Sequence, residues 1–152
     1  MLRVYVDANI FLNSWFSEGG KSESWRRYAD QLFKRTIDCQ FFLVISDLIL
    51  HELSGQMSAP ERSLESAHFG EFRACGKLKI VKIERNMHDE ARRLVSQLPP
   101  HVTHTKDAIH AIVAKKEGAV LVTRNIKDYR ALGRMLGLKV RKPEWLISNL
   151  SS

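Results

Sequence analysis

Cysteine is scarce in this chain: Cys39 and Cys75 are the only two among 152 residues. Neither sits in a CxxC pair or beside a histidine pattern, which excludes a disulfide-stapled framework and a structural zinc site and leaves each as a buried free thiol. Such thiols point to an intracellular setting. Apolar runs are short. None approaches the ~20 residues needed to cross a bilayer, and Asp7 interrupts the only stretch near the start that resembles a secretory leader. No membrane segment is expected, and the expected location is cytoplasmic. Linkers rich in Pro, Gly or Ser, internal repeats and low-complexity tracts are all missing. So are GxGxxG and GxxxxGK[ST], which disfavours dinucleotide and nucleoside-triphosphate folds. Acids are in deficit, 17 against 24 Lys and Arg, for a net charge of +7. An excess of that size suits a polyanionic partner such as nucleic acid, with a solvated basic surface as the plain alternative.

What remains is an ordinary globule, 44% apolar and 27% charged, long enough for one domain with a proper core over residues 1–152. Strand-like runs occur at LRVYV (2–6), FFLVIS (41–46), LKIVKI (78–83), AVLVT (119–123) and LKVRK (138–142). Helical segments lie between them. A helix starts near Ala8, and SESWRRYADQLFKRTI carries apolar residues at helical spacing behind a capping Ser22 or Ser24. DLILHELSG is short and apolar, and ERSLESAHFGEFRACG begins after Pro60. MHDEARRLVSQL stops at Pro99, KDAIHAIVAKKEG ends at Gly118 and YRALGRMLG at Gly137. In the tail, Trp145 and Leu146 are expected to pack on the body or on a second subunit. Apolar strands alternating with helices predict a parallel sheet covered on both faces, a single α/β domain. Ligands in such sheets bind beyond the carboxyl ends of the strands, where the strand order reverses.

The residues at those ends include a set of acids. Asp7 follows the first strand directly, and alone it reads as a helix N-cap. Glu52 lies three and four residues after Ile49 and Leu48, on an apolar face, where a carboxylate needs a partner or a metal. Asp107 opens the almost entirely apolar helix AIHAIVA, with Thr105 as a competing cap. Asp128 lies just past the fourth strand, beside Asn125. Asp47 is explained by its place in a first helical turn. Gathered acids repel one another, and divalent cations relieve the repulsion. Oxygen ligands suit Mg²⁺ or Mn²⁺, and a pair of such ions ~3.5–4 Å apart can drive phosphodiester cleavage. His110, three residues after Asp107, reads as a hydrogen-bonded core histidine, with metal ligation or proton transfer as the alternative. His51 points away from Glu52, and His101 and His104 lack zinc spacing. Lys106, Arg124 and Lys127 are candidates for contacts to flanking phosphates, with solvated loop charges as the alternative.

VYVDANIFL, SDLILHEL, KDAIHAIVAKKEGAVLVT and TRNIKDY, in that order, resemble the PIN-domain family, and within it the VapC-type ribonuclease toxins. The resemblance spans essentially the whole chain. It implies a three-layer sandwich around a five-stranded parallel sheet of order 3-2-1-4-5, and Mg²⁺- or Mn²⁺-dependent cleavage of RNA. It implies Asp7, Glu52 and Asp107 as metal-binding acids, with Asn9 beside them and Thr123 closing the fourth strand. Many members carry Asp where this chain has Asn125. Others have Asn there, followed by an acid and an aromatic, so Asp128 stands as the fourth acid and Asn125 as its neighbour. The implied partners are a small antitoxin protein and a second copy of the chain; Trp15, Phe16 and Trp25 are candidate interface residues, with core packing as the alternative role for at least one of them. Rival readings are a PIN-like module that binds RNA or serves assembly without strong catalysis, and a DNA or flap nuclease. An aspartyl phosphotransferase would need a second Asp where Asn9 stands.

Overall fold

A computed structural model of the chain describes residues 1–16, 21–38, 40–55, 68–100 and 103–149, the side chains of 21 and 22 excepted. Its centre is β1 (Leu2–Val6), whose Val4, Tyr5 and Val6 are all fully buried. The strand pairs in parallel on both sides, with β2 (Phe41–Ser46) and with β4 (Val120–Val122). β3 (Leu78–Val81) lies outside β2 and β5 (Val140–Arg141) outside β4, so the sheet runs β3-β2-β1-β4-β5. That is the expected all-parallel order, and it reverses between β1 and β4.

Three strands are shorter than their apolar runs. After Val81 the chain leaves the ladder, and the Ile83 N–H is taken by both oxygens of Asp47 at 3.2 and 3.3 Å. β4 begins only after Gly118, whose φ of +63° turns the chain out of the preceding helix. β5 pairs through just Val140 and Arg141, because the Leu138 N–H still closes the previous helix on Gly133 O at 2.9 Å.

The helices are α1 (Ala8–Trp15), α2 (Lys21–Ile37), α3 (Asp47–Ser54), α4 (68–74), α5 (Arg85–Ser96), α6 (Thr105–Lys116), α7 (Ile126–Leu136) and α8 (Pro143–Asn149). α2 packs against both α1 and α8, α6 packs against both α5 and α7, and α2 and α6 also lie against the sheet. α2 begins at Lys21, so Ser24 lies inside the helix rather than at its cap. α6 starts at Thr105 itself, with His104 as its N-cap, so Thr105 is not the cap. α7 starts three residues earlier than the pattern suggested, which puts Asp128 in its first turn. The start of the helix expected from residue 61, together with Cys39 and His101, lies outside the described residues. Cys75 is a half-buried free thiol that donates to Phe72 O at 3.2 Å.

α1 is pinned by aromatic packing. Phe11 stacks on Phe33 of α2 with ring centroids 4.8 Å apart, and Trp15 and Phe69 close around it. The Trp15 indole N–H donates to His68 Nδ1 at 2.7 Å. Burial pushes the His68 imidazole below its ordinary value, which keeps it a neutral acceptor. Trp15 is thus half-buried and packed against the core. Trp25 remains 38% exposed, with the Arg124 guanidinium 5.0 Å from its ring centroid. α8 buries Leu146 as expected, while Trp145 stays on the surface against Arg141.

Phe11 carries the stack that orients α1, and with it the cap residue Asp7. Phe11→Ala should cost about 3–5 kcal/mol, the usual range for emptying an aromatic core site, read from reversible urea denaturation. A loss below about 1 kcal/mol would mean that α1 is held by something other than this cluster.

Candidate metal centre

The carboxyl ends of β1 and β4 open into a cavity of about 390 Å³, whose lining includes Asp7, Asn9, Glu52, His104, Lys106, Asp107, His110, Asn125 and Tyr129. Each acid arrives there from a different element. Asp7 is the N-cap of α1, where Oδ1 accepts from the Ala8 N–H at 2.7 Å. Its other oxygen accepts from the Thr123 hydroxyl at 2.8 Å and from the Asn9 amide at 3.4 Å. Capping and site placement therefore coincide in one residue. Glu52 comes from α3, one turn past Leu48 and Ile49, with its side chain 18% exposed. Asp107 lies in the first turn of α6 and is held from behind by the His104 backbone, the reach-back of a capping box.

Asp7, Glu52 and His110 converge. One ligand atom from each lies within 4.8 Å of the other two. His110 is 2% exposed. Its Nε2 is 2.9 Å from Glu52 Oε1, and its Nδ1 is 2.7 Å from the hydroxyl of Tyr5. That hydroxyl also meets Ser46 Oγ at 2.8 Å. The histidine is hydrogen-bonded in the core, as read from the sequence, and it also reaches the acids.

Burial, more than anything else, raises the Asp7 carboxyl above its ordinary value, and the charge of Glu52 adds to it. His110, the Thr123 hydroxyl and the Ala8 N–H pull the other way. Asp107 is raised by the same desolvation, with Asp128 and Asp7 repelling its charge and the His104 backbone opposing. Tyr5 and Tyr129 are both held well above the phenol range by burial, reinforced by nearby carboxylates, so both remain protonated. Desolvated acids that repel each other across an open cavity are what a hard cation stabilises. The donor set fits a divalent ion of the Mg²⁺ or Mn²⁺ kind, with the imidazole as a further nitrogen at hand.

The remaining residues divide. Thr123 is fully buried, accepts from the Asn125 N–H at 3.0 Å, and braces Asp7. Asn9 sits between Asp7, Thr123 and the Arg124 N–H. Lys106 lines the cavity and Asn125 does too, whereas Asp128, on the exposed first turn of α7, is not among the described residues lining it. Asp128 acts on the site through its charge on Asp107. Lys127 is exposed and outside the lining. Arg124, expected at substrate phosphates, is turned inward instead. Its guanidinium pairs with Glu144 of α8 and covers Trp25, with only 6% of the side chain exposed. Tyr5, Ser46 and Tyr129 were not singled out in the sequence. Tyr5 had one available signal: two residues before Asp7 on a strand, it points to the same face as the acid.

A family model described as PIN domain matches residues 4–134. No curated protein matches the sequence. Among solved structures, FitAcB from Neisseria gonorrhoeae is similar at a TM-score of 0.62 and 15% identity, over 93% of this chain and 98% of that one. VapBC2 from Rickettsia felis, bound to a DNA fragment from their promoter, gives 0.56 and 19% over 93% and 98%. A toxin–antitoxin complex from Klebsiella pneumoniae gives 0.56 and 17% over 92% and 97%. At these identities the likeness is one of fold.

The raised carboxyls make a signed prediction. Unfolded, Asp7 and Asp107 titrate near about 4. Folded, they hold their protons more tightly, so their contribution to stability is full below that value and is lost as pH rises through the raised folded values. Asn caps as well as Asp. In EDTA, Asp7→Asn should therefore melt with the parent near about pH 4 and above it at neutral pH. Saturating Mn²⁺ should raise the parent's Tm and leave the variant's unmoved. A variant that melts below the parent at neutral pH in EDTA would mean that the Asp7 charge is already compensated within the protein.

Proposed function

This chain belongs to the PIN-domain family, and on that premise we propose that it is a divalent-cation-dependent endoribonuclease, the toxin of a toxin–antitoxin pair, acting as a single domain in the cytoplasm. One observation carries the reading: Asp7, Glu52 and Asp107, far apart in sequence, line one open cavity at the reversal point of the sheet.

In this proposal the three carboxylates hold Mg²⁺ or Mn²⁺. Bound there, such an ion supplies Lewis acidity, drawing charge from a phosphate oxygen and making water a better nucleophile. The protein's own groups do the rest. The Thr123 hydroxyl and the Ala8 N–H fix both oxygens of Asp7, so little reorganisation is left for the moment of reaction. Asn9 ties Asp7 to the turn after β4. Lys106 at the rim meets a flanking phosphate, and Asn125 offers an amide to water or substrate. Lys127, exposed two residues further on, adds to the positive approach, and Asp128 strengthens the negative field at Asp107. An amide at 125 and a surface acid at 128 leave three carboxylates in the cavity, which favours one tightly held ion over two. The net charge of +7 draws a polyanionic substrate. Arg124 takes no part in binding RNA here, since it is occupied by Glu144.

The toxin role is supported by the neighbours. The Klebsiella structure is itself a toxin–antitoxin complex, and a small antitoxin that covers the acid cavity of this chain is the corresponding partner. A second copy of the chain completes the proposed assembly.

The test is direct. Purified protein, freed of antitoxin, should cut a structured RNA in Mg²⁺ or Mn²⁺, leave duplex DNA intact, and stop in EDTA. Asp7→Asn and Asp107→Asn should each slow cleavage at least ~100-fold, the loss expected when several kcal/mol of charge stabilisation goes. Undiminished cutting by Asp7→Asn, or in EDTA, would falsify the assignment. Cutting of DNA in preference to RNA would replace the substrate class and leave the centre in place.

A further inference from the structure

The hydrogen bonds behind the acid cavity form a ring that starts and ends on one helix. Ser46, the last residue of β2, caps α3 by accepting from the Ile49 N–H at 3.3 Å. Its Oγ lies 2.8 Å from the buried Tyr5 hydroxyl of β1. That hydroxyl lies 2.7 Å from His110 Nδ1 on α6. His110 Nε2 returns to α3 at Glu52 Oε1, 2.9 Å away. Four elements are thereby tied to each other behind one carboxylate.

The direction of the bonds follows from donor and acceptor inventory. Glu52 serves a cation only as a carboxylate, and a carboxylate accepts hydrogen bonds without donating any. Nε2 therefore carries the ring proton. A neutral imidazole then has a bare Nδ1, which must accept, and the Tyr5 O–H is the donor within reach. With its hydrogen spent on His110, the Tyr5 oxygen accepts from the Ser46 O–H, and Ser46 still accepts from Ile49. Every donor in the ring has one acceptor, and no buried polar hydrogen is stranded.

We infer that Tyr5 and His110 are positioning residues for Glu52: the Tyr5 hydroxyl fixes the imidazole as its Nε2–H tautomer, and the imidazole holds Glu52 Oε1 in place for the cation. This rests on the proposed role of Glu52 as a cation ligand. Glutamate has three rotatable side-chain bonds, and freezing them costs conformational entropy each time a ligand binds. The ring freezes them beforehand. Partners of this kind govern a metal site nearly as strongly as the ligands do. The competing arrangement makes His110 itself a ligand, since its nitrogen lies within 4.8 Å of donor atoms of Asp7 and Glu52. It requires the opposite tautomer, with a bare Nε2 and an N–H at Nδ1 facing Tyr5.

Two measurements on the full chain separate these. The first is the long-range ¹⁵N–¹H spectrum of the metal-free protein, where the His110 ring should show the Nε2–H tautomer and Tyr5→Phe should give a mixture. The second is Mn²⁺ affinity by calorimetry. Gln places an amide nitrogen at the Nε2 position, and Asn places one at Nδ1. His110→Gln should stay within about three-fold of the parent, and His110→Asn should weaken binding about 10- to 100-fold. Tyr5→Phe should fall between them, with melting curves checking that each variant is folded. If His110→Asn fails to fold, the tautomer and Tyr5→Phe still decide. A bare Nε2 in the metal-free spectrum overturns the inference, and so do equal affinities for the Gln and Asn variants. Unaltered Mn²⁺ binding in all the variants overturns this inference alone. A parent that binds no Mn²⁺ overturns the cation-dependent reading along with it.

Discussion

A carboxylate buried at the end of the central strand is the constraint that the rest of this structure answers. Asp7 follows three fully buried residues of β1 and lies almost out of water. An ionised group in that place is costly unless it is hydrogen-bonded and its charge is met. The Ala8 N–H makes it the cap that starts α1. The Thr123 hydroxyl, just past the neighbouring strand, binds its second oxygen, and Asn9 links both to the turn that follows. The reversal of strand order puts β1 beside β4, so Thr123 and Asp7 meet. Three neighbouring choices in the sequence thus make sense only around that one acid, and the charge they leave behind is the quantity a cation would take up.

The other acids obey the same logic with less burial. Glu52 shares a face with leucine and isoleucine, which brings it inward, and His110 meets it there. Asp107 occupies the first turn of a helix whose next seven residues are all buried. The dipole at that helix end favours a negative charge, while desolvation works against it, and the net result is a carboxyl raised above its ordinary range. The acids are held partly by groups that line the cavity, Asn9, His104 and His110, and partly by groups behind it, Thr123 and Tyr5.

Much of the architecture was legible in the sequence because its signals are local. Apolar runs of strand length, helical spacing and glycine stops placed nearly every described element. The strand order came from the resemblance of the four motifs, since pairing between distant segments leaves no periodic trace. The misplacements have a common cause. The sequence shows which residue follows a strand, but not which way its side chain turns. Arg124 and Asn125 are adjacent in one tight turn, yet the first points back to Glu144 and the second lines the cavity. Asp128 was placed between the fourth strand and the next helix, whereas α7 begins earlier than its apolar pattern, without a side-chain cap to announce it. His110 was read as a core histidine. That it also touches Glu52 depends on a contact 58 positions away in the chain.

The inward turn of Arg124 has a further consequence. Its partner, Glu144, belongs to α8 at the far end of the polypeptide, and the residue just before Arg124 is the threonine that grips Asp7. Burial works against the guanidinium charge, and Glu144 offsets part of that effect. The last described helix is therefore tied to the turn beside the acidic pocket by an ion pair whose arginine is almost out of solvent and whose glutamate is 32% exposed. Tail and pocket are thus joined through adjacent residues, Glu144 to Arg124 and Thr123 to Asp7, by contacts that lie outside the cavity lining.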